Sequence, residues 1–493
     1  INDTGTIAEL LASDMSLSGE QGCALNPATG NAGSAINPAG RSQTLNMLLQ
    51  EHGFDQETHG RLRDNVLSGH VSLQSNRLPS TAQIGDVRFD EVTDCRAGSE
   101  NLSRESSEIG EAAIAGGEIA VVTLAAGAAS RWTGGAGTCK ALNPFASLGG
   151  RHRTFLEVHL AKSRRTGLSL GVEIPHVFTT SYLTHGPTSR FLDEVARYNY
   201  EGPLFLSPGR TVGLRMIPTV RDLKFAWEEL PEQQLDPQQQ KLRDSVRSGM
   251  IDWAQAQGEA QDYTDNLPVQ CLHPMGHFYE VPNLLLNGTL RTLLQLRPQL
   301  KTLLVHNVDT LGAFVDPAIL GTHLASGQGI NIEVISRQLA DRGGGLARVD
   351  GTVRLVEGLA MPASYSEYGL SYFNSMTSWV DIDQYLSLLG IDRDSVMAND
   401  QEQMQEAIRT LVNRMPTYLT LKEVKRQAEN GSLGVFPVAQ VEHLWGDLTA
   451  LPASNCGYFL VDRQRGRQLK SPAELDEWVA RCATHLEGLC VWG

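Results

Sequence analysis

The chain of 493 residues is too long for one simple core, and its length predicts a large domain with smaller terminal pieces. Its formal net charge is −15, from 41 Lys plus Arg against 56 Asp plus Glu. That balance argues against a general nucleic-acid binder, because such proteins neutralise many phosphates. It stays compatible with a small phosphorylated ligand, which needs only a local cluster of cations.

The sequence carries no sign of membrane insertion or secretion. No apolar run is long enough to span a bilayer, and the first residues, INDTGTIAEL, lack the basic-then-apolar pattern of a secretory signal. The seven cysteines are odd in number, scattered and free of CxxC pairs, which indicates reduced thiols and not a disulfide framework or zinc site. We therefore expect a cytoplasmic protein without a membrane partner.

An alternation of helical and strand-like patterns dominates the middle of the chain. Residues 1–112 are polar with helical stretches, and we interpret them as a helical N-terminal region. Ile119–Leu124 is an apolar run of the kind found in buried parallel strands. Similar runs follow helical patterns in GLSLGVEIPHVFTTS, LKTLLVHNVD and GINIEVISRQ. This order predicts an α/β domain with a mostly parallel sheet over residues 113–450, with ligands at the carboxyl ends of the strands.

Two further segments have patterns of their own. The Gln-rich, charged segment from Trp227 to Tyr263 predicts a surface helix or an insertion. Residues 451–493 form a small C-terminal segment with a basic stretch and the helix pattern SPAELDEWVARCATHL. For that helix we predict Ser471 as the N-cap and Pro472 as the first helical residue.

The most informative segment is LAAGAASRWTGGAGTCK, from Leu124 to Lys140. Its small residues let the backbone approach a ligand and offer N–H groups to phosphate oxygens, and Arg131 and Lys140 add positive charge. It contains no GxxxxGK[ST] phosphate loop, and GAGTCK lacks the last glycine of a GxGxxG fingerprint, which disfavours a dinucleotide-dependent dehydrogenase. By itself, a tight turn with a solvated Arg and Lys explains the segment equally well.

The same segment resembles the L-x-G-G-x-G-T-R-x-G…P-K signature of the UTP–sugar-1-phosphate uridylyltransferases, also called UDP-sugar pyrophosphorylases. Leu124, Gly127, Arg131 and Lys140 fall on matching positions, whereas Cys139 stands where proline is usual. Similar fragments recur in the family's order, namely PHVFTTSYLT (175–184), HPMGHFYEV (273–281), LVHNVDTLGAFVDPAIL (304–320), ADRGGGLARVDGTVRLVE (340–357), FNSMTSW (373–379), VAQVEHLWGDL (438–448) and RGRQLKS (465–471).

The resemblance implies a Rossmann-like, GT-A-like nucleotidyltransferase fold with residues 113–450 as the catalytic domain. It also implies a reaction of UTP with a sugar 1-phosphate, glucose 1-phosphate being favoured, that yields a UDP-sugar and pyrophosphate. Both reactants are anions, so the protein's main task would be to hold them in line and offset their charge.

The resemblance also assigns roles to single residues. The cations that meet the phosphates would be Arg131, Lys140 and Lys422, with Lys425 as the rival of Lys422 because that segment aligns loosely. The residues that would line the uracil edge, ribose and triphosphate are Leu124, Ala125, Ala126, Gly127, Gly276 and His277.

Metal and sugar contacts follow in the same way. Asp309 ends the apolar strand TLLVHNVD, where a carboxylate can coordinate a Mg²⁺ ion that bridges two phosphates. An N-cap or Asx turn is the structural alternative at such a corner. The residues that would contact the sugar are Asn307, Gly344, Glu357 and Asn374.

Departures from the family pattern leave the substrate and even the activity open. The 273–281 turn lacks the family's Gly-Asp, and Met376 replaces the second Asn of F-N-T-N. N-acetylglucosamine, galactose or a uronic acid could therefore replace glucose as the sugar. A non-catalytic sugar-nucleotide sensor is the alternative from another class, and release of pyrophosphate would distinguish it from an enzyme.

Overall fold

The protein is described by a computed structural model over residues 38–127, 132, 139–229, 237–427 and 433–493. Arg131, predicted to meet the phosphates, lies outside these residues. The strands of the described part are β1 Ile84–Gly85, β2 Thr93–Asp94, β3 Ile119–Leu124, β4 Pro144–Leu148, β5 Arg151–Thr154, β6 His176–Thr180, β7 Leu204–Pro208, β8 Val212–Leu214, β9 Leu272–Pro274, β10 Thr302–Asn307, β11 Ile330–Ser336, β12 Gly345–Val349, β13 Thr352–Val356, β14 Tyr372–Asp381, β15 Tyr418–Gln427, β16 Leu433–Glu442 and β17 Cys456–Leu460.

Helices pack around these strands and connect most of them. The α-helices of the described part are α1 Pro38–Glu51, α2 Gln56–Ser68, α3 Arg104–Ala115, α4 Phe155–Leu170, α5 His185–Glu194, α6 Val220–Glu228, α7 Pro237–Gln257, α8 Pro268–Cys271, α9 Asn283–Leu286, α10 Thr289–Leu296, α11 Pro317–Ser326, α12 Ile382–Leu388, α13 Arg393–Ala398, α14 Gln401–Val412, α15 Arg463–Gly466 and α16 Leu475–Gly488.

One mixed sheet organises the described part of the chain. Its strands follow the order β2-β17-β11-β14-β10-β3-β6-β7, and β12, β13 and β1 extend it beside β14. Along this path β14 runs antiparallel to both neighbours, and the other adjacent strands are parallel. The predicted α/β class with a mostly parallel sheet is confirmed.

The terminal regions contribute strands to this sheet. β1 pairs with β12, and β2 pairs with β17, so part of residues 1–112 lies in the sheet as well as in helices. Within residues 451–493, β17 runs parallel to β11. Strand pairing therefore joins the three regions predicted from the sequence. A strand at the edge of a sheet has unpaired N–H and C=O groups, and a strand from another region can form hydrogen bonds with them.

Local sequence explains the main strands and helices. All six residues of β3 are buried, as expected for a parallel strand covered on both faces. Helix α4 begins after Thr154, whose side chain accepts from the Glu157 N–H, and α11 begins after the N-cap Asp316. Helices α3 and α11 approach closely at Gly110 and Gly321, where a Cβ would overlap the backbone of the opposite helix.

The structure corrects two local predictions. In GLSLGVEIPHVFTTS, the residues up to Leu170 continue α4, and β6 begins only at His176. Ser471 caps a short 3-10 turn without a side-chain cap bond, and α16 begins at Leu475. In both places the sequence pattern marks the element correctly but not the residue where it begins, because the turn between elements depends on tertiary contacts.

Two findings bear on the environment of the chain. In the described part, no helix combines the length and the apolar character that crossing a membrane would require. Cys95, Cys271, Cys456, Cys482 and Cys490 carry free thiols, as the sequence predicts.

Candidate active site at the carboxyl ends of the strands

The predicted site residues gather at one edge of the sheet. Parallel pairing of β3 with β10 places Leu124 directly beside Asn307. The antiparallel β14 passes the end of β10, with Thr377 opposite His306, so Asn374 lies beyond that end. The parallel ladder and the one reversed strand thus bring segments far apart in sequence to a common edge.

The backbone after β3 is bound by side chains from two other segments. The Ala125 N–H donates to Thr179 Oγ1 at 2.9 Å, and the Ala126 N–H donates to Glu280 Oε2 at 3.4 Å. The Ala126 carbonyl accepts from Ser181 Oγ at 2.8 Å. The two N–H groups that the resemblance assigns to the nucleotide are therefore engaged within the protein in this structure, and Gly127 is exposed beyond them.

Glu280 is a site residue that the sequence did not single out. Its Oε2 accepts from Thr179 Oγ1 as well as from the Ala126 N–H. Burial raises the pKa of Glu280 to about 7, although both hydrogen bonds act in the opposite direction. No local motif reveals this carboxyl, because its partners lie 101 and 154 residues away along the chain.

The predicted turn at Gly276 and His277 packs against the end of β16. Gly276 has φ = 98°, and a Cβ there would overlap the carbonyl of His443, so only glycine fits without strain. The Trp445 N–H donates to His277 Nδ1 at 3.2 Å, and burial lowers the pKa of His277. The imidazole is therefore neutral, with its proton on Nε2.

Lys140 and Asp309 form a buried ion pair at the end of β10. Lys140 Nζ lies 3.0 Å from Asp309 Oδ2 and donates to the Leu469 carbonyl at 2.5 Å. The ammonium also lies 5.1 Å from the ring centroids of Trp132 and Phe155. A charge this deeply buried needs such partners, because desolvation otherwise outweighs its favourable interactions.

Three of the four predicted sugar contacts line one pocket. They are Gly344, Glu357 and Asn374. The fourth, Asn307, is half-buried at the end of β10. The pocket is also lined by residues that the sequence analysis did not assign to the sugar, among them Arg342, Phe373, Met376, Gln468 and Lys470.

The segment 468–470 connects this pocket to the buried ion pair. Gln468 and Lys470 line the pocket, while the Leu469 carbonyl between them accepts from Lys140. Gln468 Nε2 also donates to the Ser375 carbonyl at 3.1 Å. The pocket and the Lys140–Asp309 pair are consequently held by neighbouring residues of one segment.

Glu357 and Gly344 are positioned by the short strands next to β14. A Cβ on Gly344 would overlap the Val356 carbonyl, so any larger residue would displace the strand that carries Glu357. Glu357 Oε1 is buried with no hydrogen-bond partner among the described residues, and it would lie 2.6 Å from a Cβ on Gly446. Burial and the nearby Glu357 raise the pKa of Asp447 well above its ordinary value.

Ser375 and Met376 form a bulge in β14, directly after the paired residue Asn374. The register between β11 and β14 shifts between Glu333 and Val334, and Met376 takes the left-handed conformation with φ = 58°. The Met376 N–H donates to Asn374 Oδ1 at 2.9 Å. Part of the Asn374 amide is thus occupied in holding the bulge, while the side chain still lines the pocket.

Replacement of Met376 by asparagine should raise the free energy of unfolding by about 0.5–1 kcal/mol, because asparagine tolerates the left-handed conformation better than methionine. Urea denaturation followed by circular dichroism would measure the change. Met376→Leu keeps an apolar side chain in the same strained backbone, and we expect no gain from it. An equal gain in both variants would mean that backbone conformation is not the cause.

Lys422 lies outside the pocket. It belongs to the β15–β16 hairpin, where it faces Val438 in the register and its Nζ lies 3.8 Å from Glu442 Oε1. Its rival Lys425 lies farther along the same strand. Lys470, from the segment RGRQLKS, is the lysine that lines the pocket with Glu357 and Asn374.

Known proteins are similar to this chain in sequence over one part and in fold over most of it. Residues 260–422 match the family model described as UTP–glucose-1-phosphate uridylyltransferase. The matched segment contains Gly276, Asp309, Glu357 and Asn374. The predicted relationship to the UTP–sugar-1-phosphate uridylyltransferase family is confirmed. No curated protein matches the chain.

Solved structures of UDP-sugar pyrophosphorylases share the fold. The UDP-N-acetylglucosamine pyrophosphorylase of Trypanosoma brucei is 14% identical, with a TM-score of 0.59 over 89% of this chain and 79% of that chain. The UDP-glucose phosphorylase of the same organism is 16% identical, with a TM-score of 0.57 over 88% and 78%. A variant of the Leishmania major UDP-glucose pyrophosphorylase, in complex with UDP-glucose, is 17% identical, with a TM-score of 0.58 over 88% and 78%.

The chain therefore has the fold that these solved pyrophosphorylases share, and residues 260–422 resemble the UTP–glucose-1-phosphate uridylyltransferase family. The family match lies within the predicted catalytic domain, residues 113–450. The solved structures with this fold include enzymes named for glucose and for N-acetylglucosamine, so the similarity in fold does not select a sugar.

Proposed function

We propose that the protein joins UTP to a sugar 1-phosphate, with glucose 1-phosphate favoured, and releases pyrophosphate. The observation that carries the proposal is the buried Lys140–Asp309 pair beside a pocket lined by Gly344, Glu357 and Asn374. A phosphate oxygen of the sugar 1-phosphate attacks the α-phosphorus of UTP. The bond from that phosphorus to the bridging oxygen breaks, and pyrophosphate leaves with the electron pair. No protein nucleophile is needed.

Positive charge is the main chemical requirement of this reaction. The Lys140 ammonium lies at the end of β10, and Lys470 lies two residues beyond Gln468 in the pocket lining. Fixed cations in a site that excludes water stabilise the charge that develops on the departing pyrophosphate. Arg131, outside the described residues, is proposed to add a further charge from the loop after β3.

The donor set fits one Mg²⁺ ion held by a single protein oxygen. Asp309 Oδ1 is buried without a hydrogen-bond partner in the described part of the chain, and Oδ2 is paired with Lys140. The described residues contain no group of three or more His, Cys, Asp or Glu that could hold a metal. Mg²⁺ retains waters and takes substrate oxygens, so Asp309 Oδ1 can suffice. When bound, the ion would neutralise charge on the phosphates.

The pocket supports a hydroxyl-rich sugar. Glu357 accepts hydrogen bonds and Asn374 both accepts and donates them, which suits a polyol. Gly344 lets the backbone at Val356 and Glu357 pack closely against it and so holds Glu357 at the pocket. Met376, in place of a further amide, leaves an apolar wall next to Asn374.

Release of pyrophosphate from UTP, Mg²⁺ and a panel of sugar 1-phosphates tests the proposal. The panel contains glucose, N-acetylglucosamine, galactose and a hexuronic acid, each as the 1-phosphate. Release with one of them, abolished by EDTA, would support the reaction and name the sugar. Binding of UTP without release on any sugar would instead indicate a sugar-nucleotide sensor.

Two lysines are candidates for the cation that contacts the reacting phosphates, Lys422 from the sequence and Lys470 from the structure. We expect Lys470→Ala to lower kcat/KM by about 100-fold, the usual effect of removing one charge-stabilising group in a closed site. Lys422→Ala should lower it by less, because Glu442 already lies 3.8 Å from that ammonium. A larger loss of kcat/KM in Lys422→Ala than in Lys470→Ala would indicate that Lys422, in the β15–β16 hairpin, contacts the reacting phosphates.

A further inference from the structure

Glu280 provides the only carboxyl that the described residues place on the backbone after β3. Its turn, His277–Glu280, follows Gly276 and lies against the ends of β3 and β6. The side chain is half-buried, so it is accessible to a ligand in this corner. The resemblance assigns the uracil edge of UTP to the residues after β3 and to Gly276 and His277 at this corner, and the inference below rests on the proposed reaction with UTP.

The hydrogen bonds around Glu280 determine where a proton on its carboxyl would lie. Oε2 receives two donors, the Thr179 hydroxyl and the Ala126 N–H, and among the described residues no hydrogen bond falls on Oε1. An oxygen that already accepts two hydrogen bonds is the poorer site for a proton. In the neutral acid the O–H is therefore at Oε1, which remains available to a ligand.

We propose that Glu280 reads the pyrimidine base of the nucleotide through Oε1, with the neutral carboxyl donating to the 4-carbonyl oxygen of uracil. Cytosine carries an amino group at that position, which is a donor and cannot accept this hydrogen bond. The ionised carboxylate has the opposite preference, because it can only accept. Glu280 thus discriminates between UTP and CTP in its neutral state and loses that discrimination when it ionises.

The pH at which discrimination is lost follows from the environment of Glu280. Burial raises its pKa to about 7, and no charged side chain contributes to that shift. The nearby titratable groups are His277 and Tyr279 on the same turn and His443 at the end of β16. Burial lowers the pKa of His277 and lowers that of His443 to about 4, and it raises the pKa of Tyr279. His443 and Tyr279 therefore stay neutral from pH 6.5 to 8, and the lowered pKa of His277 favours its neutral form in that range.

The direction of the pH effect on CTP/UTP discrimination follows from the raised pKa of the Glu280 carboxyl. The neutral form predominates below pH 7 and is lost as the pH rises through that value. Between pH 6.5 and 8 the neutral fraction of a group with pKa 7 falls by roughly eightfold. The ratio of the dissociation constants for CTP and UTP should fall by a similar factor over this range.

Glu280→Gln gives the matched test, since its amide can turn its oxygen to Thr179 and Ala126 and keep an N–H donor at the ligand side at every pH. Isothermal titration with UTP and with CTP, at pH 6.5 and 8, should show a falling CTP/UTP ratio in the wild-type protein and a constant one in Glu280→Gln. The triphosphate titrates alike in both nucleotides and cancels from the ratio. The exposed Glu228→Gln is the control and should follow the wild type.

The outcomes separate this inference from the proposed function. UTP binding with a CTP/UTP ratio that is independent of pH in the wild type, or equally dependent in Glu280→Gln, would overturn the role of Glu280 and leave the pyrophosphorylase reaction standing. Absence of UTP binding at both pH values would overturn the proposed function and this inference together. The wild-type pH series needs no variant, so misfolding of Glu280→Gln would not decide the result.

Discussion

Lys140→Ala should lower kcat/KM for pyrophosphate release by roughly 1000-fold and the free energy of unfolding by about 3–5 kcal/mol. The structural reason is that Lys140 is buried and serves two acceptors, Asp309 Oδ2 and the Leu469 carbonyl. Without the ammonium, the Asp309 carboxylate is left buried with neither oxygen paired, because Oδ1 has no partner in the described part either. Catalysis also loses a cation beside the proposed metal ligand.

A double-mutant cycle separates the pair from its surroundings. Lys140→Ala, Asp309→Ala and the double variant would be compared by urea denaturation, and we expect the double variant to be less damaged than the sum of the two single variants. Lys301→Ala is the matched control, because it breaks an exposed pair with Glu118 at the same 3.0 Å separation. Lys301→Ala should lower the free energy of unfolding by less than about 1 kcal/mol. Additive effects at Lys140 and Asp309 would show that the two groups do not stabilise each other.

Arg465→Ala should lower the free energy of unfolding by about 3–5 kcal/mol, the range expected when one partner of a buried ion pair is removed. Arg465 Nη2 lies 2.7 Å from Glu333 Oε1, and the guanidinium also donates to the Phe314 carbonyl at 2.9 Å. Glu333 is fully buried in β11 and accepts from Trp379 as well. The variant would leave a carboxylate in the centre of the sheet without its cation.

Guanidinium denaturation followed by tryptophan fluorescence would measure this loss. Arg104→Ala is the control, since Arg104 and its partner Glu108 are both exposed, and its effect should be no more than about 0.5 kcal/mol. Arg465 does not line the sugar pocket, so the folded fraction of Arg465→Ala should keep its affinity for UTP. A loss of stability no greater than that of Arg104→Ala would contradict the role assigned to the buried pair.

The family resemblance and the fold class were predictable from the sequence because each depends on short segments. The apolar run Ile119–Leu124 and the strand that ends at Asn307 are local patterns, and the structure places them as adjacent parallel strands. The motif around Asp309 and the segment that ends at Glu357 lie within the confirmed family match. These features are recognisable although the overall sequence identity to the solved structures is low, because burial and close backbone approach restrict the residue type at single positions.

The proposed roles of Lys470 and Glu280 were less predictable. The choice of Lys422 relied on a loosely aligned segment, and nothing local to MPTYLTLKEVK indicates that the strand is one half of a hairpin beside Glu442. Lys470 lay within a recognised fragment but received no role, because only the packing of segment 468–470 along the pocket reveals it. Glu280 was missed for the same kind of reason.

By itself, the sequence determined the α/β class, the main parallel strands and the resemblance to the UTP–sugar-1-phosphate uridylyltransferases, since periodicity and short motifs encode local conformation and burial. Of the pocket lining it gave Gly344, Glu357 and Asn374. Only the tertiary structure decided which polar and charged side chains contact one another. The Lys140–Asp309 pair joins residues 169 positions apart, and the Glu280–Thr179 contact joins residues 101 positions apart. Such pairs depend on strand order and on the reversed β14, and the desolvation that sets their energies exists only once the sheet and its helices enclose them.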